Sequence, residues 1–184
     1  MQSKIGLTGL CILGSVLLSA CHSSYYVTHA NSASEKVMVH AISAEGIGEE
    51  IGTITLSDSS KGLMVKTHLS KLPEGMHGFH IHEKGSCDPA MKDGKATAGL
   101  GAGFHYNPNK VEHHGTPLNG HLGDLPSLMV NASGHANVTV YAPRVHLSDV
   151  RGLAIMIHAG GDNYSDMPKP YGGGGERIAC GLIP

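Results

Sequence analysis

Two histidines separated by a single residue lie in the segment Gly78–Glu83, which reads G-F-H-I-H-E. Successive side chains of an extended strand alternate between its faces, so His80 and His82 are predicted to share one face, opposite the two apolar residues of the segment. Two imidazoles that point to one place are a candidate metal site, because neutral imidazole is the commonest ligand for copper, zinc, iron and nickel.

The number of histidines strengthens this interpretation. Seven of the fourteen histidines lie between His77 and His121, in a segment without hydrophobic periodicity. An H-x-H pair alone is often an ordinary pair of polar residues, and further histidines make metal binding the better prediction. Those further histidines are His105, His113, His114, His121 and His158. Six others have no motif around them and are predicted at the surface or in ordinary hydrogen bonds: His22, His29, His40, His68, His135 and His146.

The elements that must position these side chains are predicted to be strands. Twenty-six glycines, nine prolines and no tryptophan in 184 residues indicate many turns, and 40% hydrophobic residues suffice for one domain with a substantial core. Short segments with strand character alternate with turn residues, which predicts an all-β fold of eight strands, a sandwich or a barrel. The segments are Val37–Ala41, Ile51–Leu56, Leu63–Leu69, Met76–Glu83, Leu128–Asn131, Ala136–Tyr141, Ala154–His158 and Arg177–Ile183.

Two connections are much longer than the rest, Lys84–Leu125 and Ala159–Glu176. Both are rich in glycine and proline, and both lack strong strand signals. Loops of such length in a single domain are usually functional or disordered. Because these two contain most of the candidate ligands, we expect them to form the walls of the metal site.

The net charge of the chain argues against nucleic-acid binding. The formal net charge is −2, with only 13 lysines and arginines. Nucleic-acid binding depends on a basic face that neutralises phosphates, and this sequence supplies none.

The first residues predict export from the cytoplasm. An apolar run follows Lys4 and predicts a signal peptide over residues 1–20, since the run is too short for a transmembrane helix. It ends in L-S-A-C, which resembles the lipobox of bacterial lipoproteins and implies a lipid on Cys21; a secreted protein with a free Cys21 is the alternative. Residues 21–35 are predicted to form a flexible tether to a domain over residues 36–184.

The remaining cysteines then form an even pair. Cys11 is lost with the signal peptide and Cys21 is acylated, which leaves Cys87 and Cys180 in an oxidising compartment. We expect a disulfide between them. Metal ligation is the alternative, and the separation of the two cysteines and the surplus of histidines disfavour it.

Five motifs in a fixed order resemble the copper,zinc superoxide dismutases, in particular the bacterial periplasmic branch. The resemblance covers about residues 36–183. The motifs are G-M-H-G-F-H-I-H-E from Gly75, G-A-G-F-H-Y-N-P from Gly101, G-H-L-G-D-L-P from Gly120, M-I-H-A-G-G-D-N-Y from Met156 and G-G-G-G-E-R-I-A-C-G from Gly172. The resemblance implies a Greek-key β-barrel, dismutation of superoxide to dioxygen and hydrogen peroxide, one copper and one zinc per chain, and a periplasmic location on the outer membrane.

The resemblance also assigns the metal ligands. It implies copper ligands His80, His82, His105 and His158, and zinc ligands His105, His114, His121 and Asp124. The residue types fit this assignment, because imidazoles alone suit a redox-cycling copper, whereas three imidazoles and one carboxylate suit a closed tetrahedral zinc site. His105 would bridge the two metals.

Other residues receive supporting roles from the same resemblance. Asp162 would link a copper histidine to a zinc histidine by hydrogen bonds, which fixes ring orientation. Arg177 and His105 would be catalytic: Arg177 attracts and positions superoxide with its permanent charge, and His105 moves a proton. Lys92 and Lys95 would assist the attraction more weakly. A surface ion pair is the alternative role for Arg177, and His77 is expected to be structural.

Several alternatives stay open at this stage. His113 fits a common variant of the zinc motif, although H-G-T-P from His114 fits the bacterial pattern better, and the loop from His114 to His121 is shorter than usual. A metal buffer without enzymatic activity is one rival function. A zinc hydrolase is another, which the absence of H-E-x-x-H and H-x-H-x-D-H disfavours. Both a monomer and a homodimer are compatible with the sequence.

Overall fold

A computed structural model describes residues 33–184 of the chain. The predicted signal peptide over residues 1–20, Cys21 and most of the predicted tether lie outside the described residues. No helix of residues 33–184 is long and apolar enough to cross a membrane.

The described residues form eleven strands, together with one four-residue helix and two short 3-10 turns. The helix is α1 (Leu147–Val150), and the turns are Leu100–Ala102 and Tyr171–Gly173. The strands are β1 (Ser34–Ser43), β2 (Gly46–Ser59), β3 (Gly62–Leu69), β4 (Gly75–His77), β5 (Phe79–His82), β6 (Ala90–Lys92), β7 (Lys95–Thr97), β8 (Leu128–Val130), β9 (Thr139–Ala142), β10 (Ala154–His158) and β11 (Arg177–Leu182).

Seven of these strands form one antiparallel sheet in the order β5-β10-β11-β1-β2-β3-β9. Strands β1 to β3 are connected in sequence, and β11 returns from the end of the chain to lie beside β1. This arrangement is that of a Greek key. Strands β4 and β8 pair separately, as do β6 and β7. The predicted all-β Greek-key fold is therefore confirmed.

The core follows from alternation of apolar and polar residues. Along β3, Leu63, Val65 and Leu69 are buried, whereas Lys66 and His68 between them are exposed. Strand β10 is buried along its whole length because it lies inside the sheet between β5 and β11. A central strand of this kind carries its side chains into protein on both faces.

Differences from the predicted strands are small and have local causes. Each of the eight predicted segments overlaps a strand, but the strand predicted at Met76–Glu83 is interrupted at Gly78. A Cβ atom at Gly78 would lie 3.1 Å from the His80 ring and 3.4 Å from the His158 side chain, so this position favours glycine. The first strand begins at Ser34, two residues before the predicted start of the domain. The hairpin β6–β7 lies inside Lys84–Leu125, where no strand was predicted.

Strand β5 is held on both sides, which places its histidines. One side pairs with β10. On the other side, Ile81 N–H donates to Gly123 O at 2.9 Å, and Tyr106 N–H donates to Ile81 O at 2.8 Å. Phe79 and Ile81 belong to the main hydrophobic core, so the alternation of the strand turns His80 and His82 to its other face. The first long loop thus contacts the strand that carries the H-x-H pair.

A disulfide between Cys87 and Cys180 connects the first long loop to β11, as predicted. The two Cα atoms are 5.7 Å apart and 93 residues apart in sequence, and both side chains are buried. Arg177 lies on the same strand as Cys180. The disulfide therefore connects the loop after β5 to the strand that carries Arg177.

Replacing both cysteines, as in Cys87→Ser with Cys180→Ser, is expected to lower the free energy of unfolding by about 2–4 kcal/mol, because the unfolded chain regains the freedom that a closed loop removes. Denaturant titration of the variant beside the unreduced parent measures this difference. Equal stability, or two free thiols found by mass analysis of the unreduced parent, would contradict the prediction.

Candidate metal centre

Four buried histidines from three separate parts of the chain meet at one place. His80 and His82 come from β5, His105 follows the first 3-10 turn, and His158 ends β10. One ring nitrogen from each of the four lies within 4.8 Å of the nitrogens of the other three. The strands and the first long loop therefore assemble the four predicted copper ligands.

The hydrogen bonds of these histidines leave specific nitrogens free. His80 Nδ1, His82 Nε2 and His158 Nε2 are buried without a hydrogen-bond partner. The opposite nitrogens all have protein partners: His80 Nε2 contacts Asp162 Oδ2 at 2.8 Å, His82 Nδ1 contacts Gly103 O at 3.1 Å, and His158 Nδ1 contacts Gly175 O at 3.3 Å. Buried nitrogens without a partner are costly unless something binds them. Three such nitrogens together fit a metal ion.

The predicted zinc ligands gather around one carboxylate, Asp124. Its Oδ1 lies 2.8 Å from His105 Nδ1 and 3.4 Å from His121 Nδ1, and its Oδ2 lies 3.1 Å from His114 Nδ1. His114 Nδ1 and His121 Nδ1 are buried and make no hydrogen bond. His121 is not in the group whose potential ligand atoms all lie within 4.8 Å of one another, which consists of His80, His105, His114 and Asp124. The donor set of three imidazoles and one carboxylate fits zinc.

Asp162 connects the two groups of histidines. Its Oδ2 contacts His80 Nε2 and its Oδ1 contacts His114 Nε2, both at 2.8 Å. Oδ1 also accepts the Tyr164 N–H at 2.7 Å. The carboxylate thus orients one ring in each group and occupies the nitrogen that is not needed for a metal.

Both carboxylates depend on neighbouring glycines. A Cβ atom at Gly120 would lie 2.3 Å from Asp124 Oδ2, and a Cβ atom at Gly172 would lie 2.0 Å from Asp162 Oδ1. Gly172 also has φ +72°, a conformation that other residues rarely adopt. Any larger residue at either position would displace a carboxylate from its histidines.

Burial lowers the pKa of all four histidines of the first group. Burial, together with neighbouring ionisable groups, lowers the pKa of His82 and His158 well below the usual value, and lowers that of His105 to about 3. A histidine with a depressed pKa is neutral at pH 7 and has a lone pair for a metal. His114 differs: burial acts to lower its pKa, but contacts of the ring with Asp124 and Asp162 and their negative charges outweigh burial and raise the pKa to about 9.

The two carboxylates stay ionised. Burial acts to raise the pKa of Asp124, but contacts with His105, His114 and His121 lower it far below the usual range. Asp162 behaves in the same way, because His114 and His80 outweigh the effect of burial. The centre therefore holds two negative charges, which favours the binding of cations.

Arg177 lies beside the first group of histidines, in the wall of a cavity of about 670 Å³ that His105 and His158 also line. Its guanidinium donates to Gly99 O at 2.5 Å and to Gly103 O at 2.6 Å. Burial lowers the pKa of Arg177, but a guanidinium remains charged at any working pH. Lys92 and Lys95 line the same cavity, whereas no ion pair of Arg177 is present among the described residues.

The two adjacent histidines have different surroundings. The His114 side chain is fully buried against Asp124 and Asp162, whereas the His113 side chain is 74% exposed, near Glu112 and Asp166. The structure therefore brings His114, and not His113, into the group around Asp124.

Histidines outside the motif-based ligand sets have ordinary surroundings. His77 is buried, with Nδ1 2.7 Å from His158 O and Nε2 2.8 Å from Pro73 O. His40 is half-buried and contacts Gly48 O at 3.2 Å. The remaining described histidines, His68, His135 and His146, are exposed. His22 and His29 lie outside the described residues.

Sequence reasoning missed Arg144, which holds the segment around the predicted zinc ligands. Its Nε donates to Pro117 O at 2.8 Å, and one terminal nitrogen donates to Gly120 O at 2.7 Å and to His121 O at 3.1 Å. Main-chain carbonyls carry no sequence signature, so no motif indicates this role.

Asp166 was missed for a related reason. Its carboxylate accepts the main-chain N–H of His114 and that of Tyr171, each at 3.0 Å. It therefore connects the two long loops of the fold. A functional aspartate is recognised from sequence by the motif around it. Asp166 lies outside the five motifs, so no sequence signal indicated it.

Comparison with known proteins agrees with this geometry. The profile of the copper/zinc superoxide dismutase family matches residues 50–183. The chain is 52% identical over 158 residues to the Cu-Zn superoxide dismutase of Escherichia coli strain K12, covering 85% of this chain and 91% of the relative.

Two solved structures have the same fold. The Cu/Zn superoxide dismutase from Brucella abortus matches with a TM-score of 0.81 and 46% sequence identity, over 83% of this chain and 100% of that one. The monomeric copper, zinc superoxide dismutase from Salmonella enterica matches with a TM-score of 0.74 and 52% identity, over the same shares of the two chains. With its profile, its relatives and its fold in agreement, this chain belongs to the copper/zinc superoxide dismutase family.

Proposed function

We propose that the four-histidine group binds copper and that the group around Asp124 binds zinc, with His105 shared between them. The copper ligands are His80, His82, His105 and His158, and the zinc ligands are His105, His114, His121 and Asp124. The observation that carries this assignment is the set of buried nitrogens without partners, three in the first group and two in the second. Each of them belongs to a residue of the proposed ligand sets.

As a member of its family the protein is a superoxide dismutase that uses copper and zinc. Two superoxide ions and two protons yield one dioxygen and one hydrogen peroxide. Copper supplies the change of oxidation state that this reaction needs, and zinc supplies a fixed positive charge beside the shared imidazole. A metal buffer or a zinc hydrolase is not supported by this family membership.

The chain's own residues have three tasks in this proposal. Arg177 attracts superoxide into the cavity and holds it beside the four-histidine group, because its charge faces the cavity and its partners are neutral carbonyls. His105 Nε2 takes up a proton in one half of the reaction and releases it to the peroxide in the other. Asp124 Oδ1 lies 2.8 Å from Nδ1 of the same ring, so one zinc ion held by both residues would fix the orientation of the ring during this exchange.

We infer that the protein works in the periplasm, anchored to the outer membrane through lipid on Cys21. The L-S-A-C sequence supports the anchor, and the disulfide supports the location because such bonds are typical of oxidising compartments. Under this proposal residues 1–20 are removed, residues 21–35 connect lipid and domain, and residues 36–184 form the enzyme. Either a monomer or a homodimer is compatible with this arrangement.

The metal assignment predicts about one copper and one zinc per chain in the fully loaded protein, together with rapid superoxide decay. Elemental analysis and stopped-flow decay on the same purified sample measure both. Zinc alone, in a protein that copper cannot enter, would refute the assignment.

Adjacent histidines provide a matched control for this experiment. His114→Ala is expected to lose most of the bound zinc, since it removes a buried ligand. His113→Ala should keep both metals, because its side chain is exposed. Equal zinc contents in the two variants would contradict the place of His114 in the zinc site.

Arg177→Ile is expected to keep copper and zinc but to lower the rate of superoxide decay by about tenfold or more, since local positive potential steers anions. The variant should also depend less on ionic strength, because salt screens that potential. Arg177→Lys should have an intermediate rate, since the charge survives without the planar fork. Stopped-flow measurement across a salt series tests all three statements.

Arg151 is the matched control for charge. It pairs with Glu35 at 2.6 Å and does not line the cavity. Arg151→Ile removes the same charge from the protein but should leave the rate almost unchanged. If both variants lose activity equally, net charge and not the position of Arg177 governs the rate.

Cys21→Ser should move the protein from the membrane fraction to the soluble periplasmic fraction, because acyl chains supply stable anchoring. Fractionation of the expressing cells, followed by immunodetection, measures the distribution. Cys11→Ser is the control and should stay with the membrane, since this residue leaves with the signal peptide. Identical partitioning of the Cys21 variant and the parent would mean that the protein is not a lipoprotein.

A further inference from the structure

Two exposed aromatic residues, Phe104 and Tyr171, lie against each other beside the metal centre. Their ring centroids are 6.0 Å apart and the rings are nearly parallel. The side chains come from different long loops, and both line the cavity that Arg177 faces. We call this pair the aromatic cap. Phe104 is 60% exposed and Tyr171 is 41% exposed, so the pair is not part of the hydrophobic core.

The ring of Tyr171 covers histidines of the proposed zinc group. Its centroid lies 5.1 Å from that of His105 and 6.2 Å from that of His121. These two histidines are each only 5% exposed, although they lie below the surface loops and not in the core. Apart from Phe104, they are the aromatic partners of Tyr171 in residues 33–184. The cap therefore lies over one half of the centre.

The main chain holds Tyr171 in an unusual conformation. Its φ is +54°, in the left-handed region that residues other than glycine rarely adopt. The Tyr171 N–H donates to Asp166 Oδ1, while Asp166 Oδ2 accepts the N–H of His114. One carboxylate thus holds the main chain of Tyr171, whose ring covers the centre, and the main chain of a proposed zinc ligand.

We propose that the aromatic cap is a positioning element that keeps water and competing ligands away from the zinc half of the centre and holds the His105 ring in place. The proposal rests on the metal assignment given above. A metal ion leaves a site when water or another ligand replaces its protein ligands, so a ring over His105 and His121 slows this exchange. The cavity beside Arg177 remains the open path for small anions.

Zinc release is the measurement that tests the cap. In the fully loaded protein, transfer of zinc to a chromogenic chelator is followed over time, and copper release is followed separately with a copper chelator. Tyr171→Asn removes the ring, and asparagine tolerates the left-handed conformation better than most residues, so the loop is expected to keep its shape. Zinc release should become about tenfold faster or more, with copper release unchanged.

Three further variants separate the cap from a general loosening of the loop. Tyr171→Phe should restore slow release, because it keeps the ring. Phe104→Ala should accelerate zinc release in the same direction from the other loop. Met167→Ala removes a side chain that is 73% exposed in the same loop as Tyr171, and it should behave like the parent. Cobalt placed in the zinc position should show altered visible absorption bands in Tyr171→Asn and parental bands in Tyr171→Phe.

Two results would overturn the proposal. One is parental zinc release in both Tyr171→Asn and Phe104→Ala; the other is equal acceleration of zinc and copper release, which would indicate a loosened fold. Either result leaves the metal assignment intact, provided that the parent protein binds both metals. A parent that binds no zinc would instead refute the assignment on which the proposal rests.

Discussion

Three of the histidines proposed to hold copper can bind a metal because the opposite nitrogen of each ring already contacts the protein. In His80, His82 and His158, one nitrogen contacts a carboxylate or a main-chain carbonyl, while the other is buried with no partner. The first contact selects which nitrogen keeps its lone pair. It also prevents the ring from rotating toward another acceptor. The rest of the structure places these acceptors, which are Asp162, Gly103 O and Gly175 O, at the correct distance.

Much of the fold follows from patterns visible in the sequence. The alternation around His80 and His82 predicted a strand with its histidines on one face, and β5 has this arrangement. The hairpin β6–β7 was missed although Asp93-Gly94 is a strong turn signal, because its three-residue strands are largely exposed and lack hydrophobic alternation. The break at Gly78 was also missed, since part of the crowding around this residue comes from His158, which is 80 positions away in sequence.

The motifs indicated the candidate metal ligands, but several of the residues that support them were not predicted. Motifs with several fixed residues indicated the candidate ligands and Asp162, and the structure brings them together. The motifs favoured His114 over His113 but left both open, because His113 also fits a common variant of the pattern. In the structure the two differ by burial and by the contact of His114 with Asp162. Arg144 and Asp166 act on main-chain groups, and the pair Phe104 and Tyr171 meets only after both long loops have folded. Such contacts depend on three-dimensional distances that no local spacing contains.

The carbonyl oxygen of Gly103 accepts hydrogen bonds from both His82 Nδ1 and Arg177 Nη2. Gly103 O therefore holds both the His82 ring and the Arg177 guanidinium. One atom thus fixes the distance between the two side chains. A free arginine side chain has many rotamers, and holding one of them for a ligand costs conformational entropy. Here the Arg177 side chain loses this entropy when the protein folds, before any anion binds. An anion that arrives in the cavity therefore meets a charge that is already in position, and no rotamer of Arg177 has to be selected when it binds.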